Sequence, residues 1–172
     1  MANKQALREL QTRLADRLQA ARTEPTARSW LAVESSARGF LFPLSDAGEI
    51  FAMAALEPVP HSQPWFLGVT NLRGHLNGVV DLAAFLGIEN GEGARDQARL
   101  VGFNQALELN CVLLVDRLSG LRSEEELTRE ADDGQVRPSF AGASYRDASG
   151  RVWQELRLAE LAGDESFLRI VE

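Results

Sequence analysis

The chain has 172 residues, 45% of them hydrophobic and 25% charged, with 25 acidic against 18 basic side chains and a formal net charge of -7. That length supports one compact domain, or two small subdomains sharing an interface, with a core that needs no metal or disulfide staple. An acidic surface repels phosphates, which argues against nucleic acid, and a single cysteine, Cys111, excludes an internal disulfide.

Leu7, Leu10, Leu14, Leu18 and Ala21 recur at spacings of three and four among Arg8, Glu9, Arg13, Asp16 and Arg17, the pattern of an amphipathic helix. The expected place for such a stripe is against the helix's own domain, with docking on a partner as the alternative. Thr23 to Arg28, broken by Pro25, reads as a linker, so residues 1–28 precede a domain over 29–172. Six basic and three acidic residues give the first 28 positions a net +3, which leaves -10 for the remainder. There is no apolar leader, and no window approaches the roughly 18 apolar residues of a membrane span, so a cytoplasmic chain without direct membrane insertion is expected.

Beyond Arg28, short apolar runs alternate with turn residues, which predicts an all-β fold with minor helix. Trp30 to Val33 and Phe40 to Leu44 form a first hairpin around Glu34 to Gly39. Ser45 to Phe51 reads as a short helical or irregular crossover, capped by Ser45 or Asp46. Strands are expected at Met53–Leu56, Val69–Leu72, Leu76–Leu82, Arg99–Phe103, Leu109–Val115 and Arg151–Leu156. Pro60 and Pro64 stop helix formation, Gly68 permits close backbone approach or positive φ, and Asn71-Leu72-Arg73-Gly74 is a turn between strands. Gly87 to Asp96 is a loop. Leu121 to Arg129 reads as a helix capped by Ser123, Asp147 to Gly150 as a hairpin turn, and Leu156–Leu161 and Phe167–Val171 as short closing helices.

Catalytic patterns are missing. His61 and His75 have no metal-ligand spacing and read as surface or turn residues, and no Gly-x-Ser-x-Gly elbow or phosphate loop occurs. Asp81 ends an apolar strand as a phospho-acceptor does, yet the only lysine is Lys4 and the strand–helix alternation of a receiver is lacking. It is better read as a hydrogen-bond acceptor for nearby backbone N–H groups. Cys111, inside Cys111 to Val115, is expected to be a buried, inert thiol, and Trp30, Trp65, Phe66 and Trp153 to be core aromatics.

Val59-Pro60, Phe66 to Val69, Asn71 to Gly74 and Val79 to Leu82 together follow an order that resembles the CheW family, the coupling proteins of bacterial chemosensory arrays. The likeness extends more weakly from about Trp30 to Val171. Phe85-Leu86-Gly87 after Asp81-Leu82 is similar to the branch of that family serving type IV pili and twitching motility. The resemblance implies two five-stranded SH3-like β-barrels packed side by side, no enzymatic activity and no cofactor. It implies a groove for the cytoplasmic tip of a methyl-accepting chemoreceptor, and a barrel end that pairs with the regulatory domain of a CheA-like histidine kinase. Weak self-association through such an end is a further implication. The partner-binding candidates are Ala47, Glu49, Asn71, Arg73 and Gly74, with Leu113, Val115 and Leu118 in the region of the rest of the groove. Glu49 and Arg73 are expected to form a charge pair that orients the groove, against the alternative of a merely solvated pair. Asn77-Gly78 stands where the family has an apolar-Pro pair, and because Asn-Gly favours a tight turn, strand register there stays open. A generic SH3-like module binding a peptide or small effector is the alternative function; it would show a ligand-sized apolar pocket.

Overall fold

The computed structural model describes residues 2–23, 28–89 and 95–172. Residues 24–27 of the expected linker and 90–94 of the expected loop lie outside them. Among the described residues, helix α1 (Ala2–Thr23) precedes eleven strands: β1 (Ser29–Ser35), β2 (Arg38–Pro43), β3 (Ala47–Ala52), β4 (Phe66–Leu72), β5 (His75–Asp81), β6 (Arg99–Phe103), β7 (Cys111–Val115), β8 (Arg117–Ser123), β9 (Thr128–Arg129), β10 (Ala141–Arg146) and β11 (Val152–Leu156). Short helices α2 (Leu82–Phe85), α3 (Leu158–Leu161) and α4 (Glu165–Leu168) follow β5 and β11.

The strands form two sheets. One has the order β3-β6-β7-β5-β4 and the other β8-β1-β2-β11-β10-β9. Both curl closed. In the first, the segment after β3 returns to the far edge, where Glu57 and Val69 exchange backbone hydrogen bonds of 2.9 Å and the Thr70 hydroxyl donates to the Ala55 carbonyl at 2.7 Å. In the second, the edge strands β8 and β9 are consecutive in the chain, separated by a single 3-10 turn over Glu124–Glu126. Taken as one bent strand they complete a five-stranded barrel, which reconciles six counted strands with the expected five. The second barrel is built from both ends of the domain, so β2 and β11 pair in parallel.

Alternation of side chains divides the core into three. Trp30, Ala32 and Leu41 point into the second barrel with Tyr145 and Trp153, whereas Leu72, Val79, Leu100, Val112 and Leu114 fill the first. Between the barrels lies the largest cluster, with Leu31, Val33, Phe40 and Phe42 facing Val80, Val101, Phe103, Leu113 and Val115, and with Phe140 and Phe167 at its margin. Strands β1 and β7 are therefore apolar on both faces, which is why they read as continuous runs rather than alternating ones. Trp65 joins the margin, edge-to-face with Phe85 at 5.1 Å and stacked on Phe167 at 6.2 Å.

Burial of Cys111 in this interface pushes its thiol up to about 12. The thiolate that reacts with disulfide reagents is then negligible near pH 8. The native protein is expected to resist such a reagent and to react with one equivalent after unfolding in urea; prompt labelling of the native protein would contradict the packing.

Several local expectations are corrected. Ser45 to Phe51 is not a helical crossover: Ala47–Ala52 is a strand paired with β6. Met53 to Leu56 is not a strand, although it leads into the Glu57 bridge. Leu121 to Arg129 is not a helix, because Leu121 pairs with Leu31 and Ser123 with Ser29, leaving one 3-10 turn before β9. Tertiary pairing overrides the helix-forming composition there. Asn77-Gly78 makes no turn. Both residues continue β5 in register with Thr70 and Val69, and a Cβ at Gly78 would meet the Phe66 ring at 2.8 Å. Glycine at that position serves ring packing.

Helix α1 forms, but the expectation that it lies against its own domain is not met. Leu7, Leu10 and Leu14 are 57%, 56% and 53% exposed.

An ion cluster within the second barrel ties β1 to β8 and to the residue preceding β11. Glu34 accepts hydrogen bonds from Arg117, Arg151 and the Ser119 hydroxyl, and Arg151 also stacks over the Trp153 ring at 4.5 Å. Burial alone would raise the Glu34 carboxyl, but the donors from Arg151, Arg117 and Ser119 outweigh it and hold it below its ordinary value. A depressed folded pKa contributes stability above the unfolded value, near 4.5, and loses it as pH falls through the folded value. Glu34→Gln is expected to cost about 1–3 kcal/mol at pH 7. In urea unfolding the gap between variant and wild type should narrow below about pH 4.5; a gap unchanged at pH 3 would assign the effect to packing instead.

Candidate functional site

The turn joining β4 to β5 contains two residues, Arg73 and Gly74, at φ +50° and +82°. Two consecutive positive φ values match the right-handed twist of a tight hairpin, and Gly74 takes the second at no steric cost. The Asn71 Oδ1 atom accepts the Gly74 N–H at 2.9 Å, so Asn71 and Gly74 are turn-makers whose effect is to aim Arg73.

Arg73 projects across the mouth of the first barrel. Its Nη2 atom lies 2.5 Å from Glu49 Oε1, with the two side chains 75% and 43% exposed. Because β3 and β4 are opposite edges of that sheet, the pair spans the line along which the barrel closes. An ion pair this exposed adds little stability, typically about 0–1 kcal/mol, so its geometry is available to a partner rather than consumed by the fold. A groove of about 500 Å³ lies beneath it, with walls including Phe51, Asn77, Gln105 and Glu108.

Sequence reasoning assigned no role to the wall that carries Gln105 and Glu108. It comes from the β6–β7 connection, where Asn104 Oδ1 accepts the Ala106 N–H at 2.9 Å and Glu108 sits at φ +51°. The polar run Asn104 to Asn110 between two apolar strands is the signal that could have revealed it.

Of the other candidates, Ala47 is half-buried in β3 and packs against the inter-barrel core, and Leu118 in β8 does the same. Leu113 and Val115 need correction as contact residues. Both are 0% exposed, because β7 is central in its sheet and turns these side chains into the seam between barrels. A partner cannot touch them in the folded chain.

Asp81 accepts the Ala84 N–H at 3.3 Å as the cap of α2 and pairs with Arg95 Nη2 at 3.2 Å. That agrees with its reading as a backbone acceptor. A second buried carboxylate, Glu155, accepts the Trp30 indole N–H at 2.6 Å and pairs with Arg157. It belongs to the barrel framework. His61 and His75 are exposed, and among the described residues no group of three or more His, Cys, Asp or Glu side chains is placed to hold a metal ion. No described helix is long and apolar enough to cross a membrane.

Known proteins give the same picture. Residues 29–166 match the model of the CheW-like domain. Protein PilI of Pseudomonas aeruginosa is 28% identical over 149 residues, covering 81% of each chain. The crystal structure of the scaffolding protein TtCheW from Thermoanaerobacter tengcongensis superposes with a TM-score of 0.65 over 79% of this chain and 88% of that one, at 16% identity, which establishes a shared fold. Two abutting barrels, an Asn-Leu-Arg-Gly turn aimed across one mouth and a family match over most of the length lead to one conclusion: the chain belongs to the CheW-like domain family.

Proposed function

We propose that this chain is a non-enzymatic coupling adaptor that holds the cytoplasmic tip of a methyl-accepting receptor and the regulatory domain of a CheA-like histidine kinase in one complex. The observation that carries the reading is the exposed Glu49–Arg73 pair above a groove at the barrel mouth. A guanidinium fork and a carboxylate fixed across the closure line present an oriented polar feature above a groove of mixed polar and apolar walls, a combination suited to a protein interface. Similarity to PilI supports a chemosensory system governing type IV pili, with twitching as its output. Recruitment to membrane arrays follows from receptor binding, with the adaptor itself in the cytoplasm.

Coupling requires no bond to be made or broken. The adaptor works by occupying both partners at once, so a displacement of the receptor tip is transmitted through the seam between barrels to the kinase. Asn71, Gly74 and Ala47 support the surface, with Glu49 and Arg73 at its centre and Leu118 at its border.

Arg73→Ala is expected to weaken binding to a receptor cytoplasmic fragment or to the kinase regulatory domain about tenfold. Thermal unfolding should be unchanged, since Arg73 is 75% exposed along its side chain. Calorimetric titration and a melting curve on one preparation check both parts. Undiminished affinity for both partners would remove the pair from the interface, and a lowered melting temperature would make it structural.

A further inference from the structure

The family match begins at residue 29, so helix α1 lies outside it. Its leucine stripe is open to solvent along Leu7, Leu10 and Leu14, and Leu18 and Ala21 extend it in sequence. Along its sequence Lys4, Arg8, Arg13, Arg17 and Arg22 outnumber Glu9 and Asp16, a net +3. Glu9 and Asp16 fall on the opposite face. Two copies of α1 packed stripe to stripe would bring together helices of net +3 each, and like charges oppose that arrangement. The complementary surface is apolar with an acidic rim.

The β-domain carries such a surface. A groove of about 200 Å³ is lined by Phe66, Val69, Leu76, Leu109, Phe167 and Leu168. Leu76 and Leu168, with nearby Val171, are exposed at 63%, 47% and 67%. Exposed Glu108 precedes Leu109, exposed Glu165 opens the helix bearing Phe167 and Leu168, and exposed Glu172 follows Val171, with Arg169 the cation among them. The charges of the two regions match: +3 over residues 1–28 and -10 over the rest. Stripe and groove both stand open on the single chain, so neither covers the other.

We propose that α1 of one copy seats its leucine stripe in the acidic-rimmed groove of a second copy, and that reciprocal exchange closes a two-fold dimer. A two-fold swap satisfies both surfaces at once, whereas a one-way contact would leave one stripe and one groove open and propagate. A net-basic helix with an exposed leucine stripe also suits an anionic lipid surface. Against that, α1 has no aromatic residue and is tethered to a body of like sign to the membrane.

Sedimentation velocity of the full chain across the micromolar range decides between them. The expected result is a concentration-dependent dimer that weakens as salt screens the charged rim. Leu7→Asp with Leu14→Asp, and separately Leu76→Arg with Leu168→Arg, should each weaken it at least about tenfold. All four positions are solvent-exposed, and an equimolar mixture of the two variants tests folding directly, since an intact helix then meets an intact groove and a heterodimer reappears. A wild-type monomer throughout the range overturns the proposal, as does a dimer that neither pair of substitutions moves. A monomer that pellets with vesicles of anionic phospholipid, in a manner dependent on Leu7 and Leu14, also overturns it and assigns the stripe to a membrane.

Discussion

Gly68→Ala is expected to be among the most damaging single-methyl changes in the chain, costing about 3 kcal/mol and lowering the thermal midpoint by roughly 6–12 °C. Two effects act together. The backbone at Gly68 adopts φ +137°, a conformation that L side chains rarely take, and an added Cβ would stand 2.2 Å from the Glu57 carbonyl oxygen. That carbonyl accepts the Val69 N–H in the bridge closing the first barrel, so relief of the clash must loosen the closure itself. The opposite edges of the sheet would then part near the Glu49–Arg73 pair. Loss of partner affinity is therefore expected in Gly68→Ala even at temperatures where it remains folded. Differential scanning calorimetry checks the first effect and a titration against the kinase regulatory domain the second; a midpoint within 2 °C of wild type would show that the backbone can move aside cheaply.

Leu113→Ala is expected to destabilise by about 2–5 kcal/mol, with the outcome set by how far the seam between barrels collapses into the cavity. Leu113 is fully buried among side chains from both barrels, and β7, which carries it, pairs on both sides with β5 and β6. Its effect on partners should follow from unfolding alone. Denaturant titrations are expected to show a lower midpoint, and partner affinity corrected for the folded fraction should equal that of wild type. Arg73→Ala is expected to behave in the reverse manner, with affinity lost and stability kept. If Leu113→Ala instead weakened binding at unchanged stability, the seam would have to open during recognition.

Local structure is legible in the sequence where one residue's backbone preference decides it. The Asn71 to Gly74 turn, the need for glycine at position 68 and the Asp147 to Gly150 turn all follow from such preferences, and the β6 strand over Arg99–Phe103 follows from its short apolar run. The Asp147 turn shows why: Oδ1 accepts N–H groups of Ser149 and Arg151, while the Ser149 hydroxyl and the Trp153 indole hold the carboxyl well below the usual range. Strand β3 is not legible in the sequence, because its pairing partner lies about fifty residues away and its side chains are half-buried or exposed, so no alternation marks it. The direction of Leu113 and Val115 was equally illegible, since every residue of Cys111 to Val115 is buried and no period separates barrel from seam. In α1 the sequence shows the stripe but not its lack of cover, which depends on the placement of the whole domain. Within the site, the Glu49–Arg73 pair was legible through the motif, and the Asn104 to Asn110 wall was not.

Co-sedimentation tests the adaptor role most directly. Membranes bearing a methyl-accepting receptor are mixed with the CheA-like kinase, with and without this chain, and pelleted. If the proposed adaptor role holds, the kinase should enter the pellet only when the chain is present, with Arg73→Ala reducing the yield. Kinase that pellets equally without the chain, or a chain that stays in the supernatant in every mixture, would contradict the adaptor role.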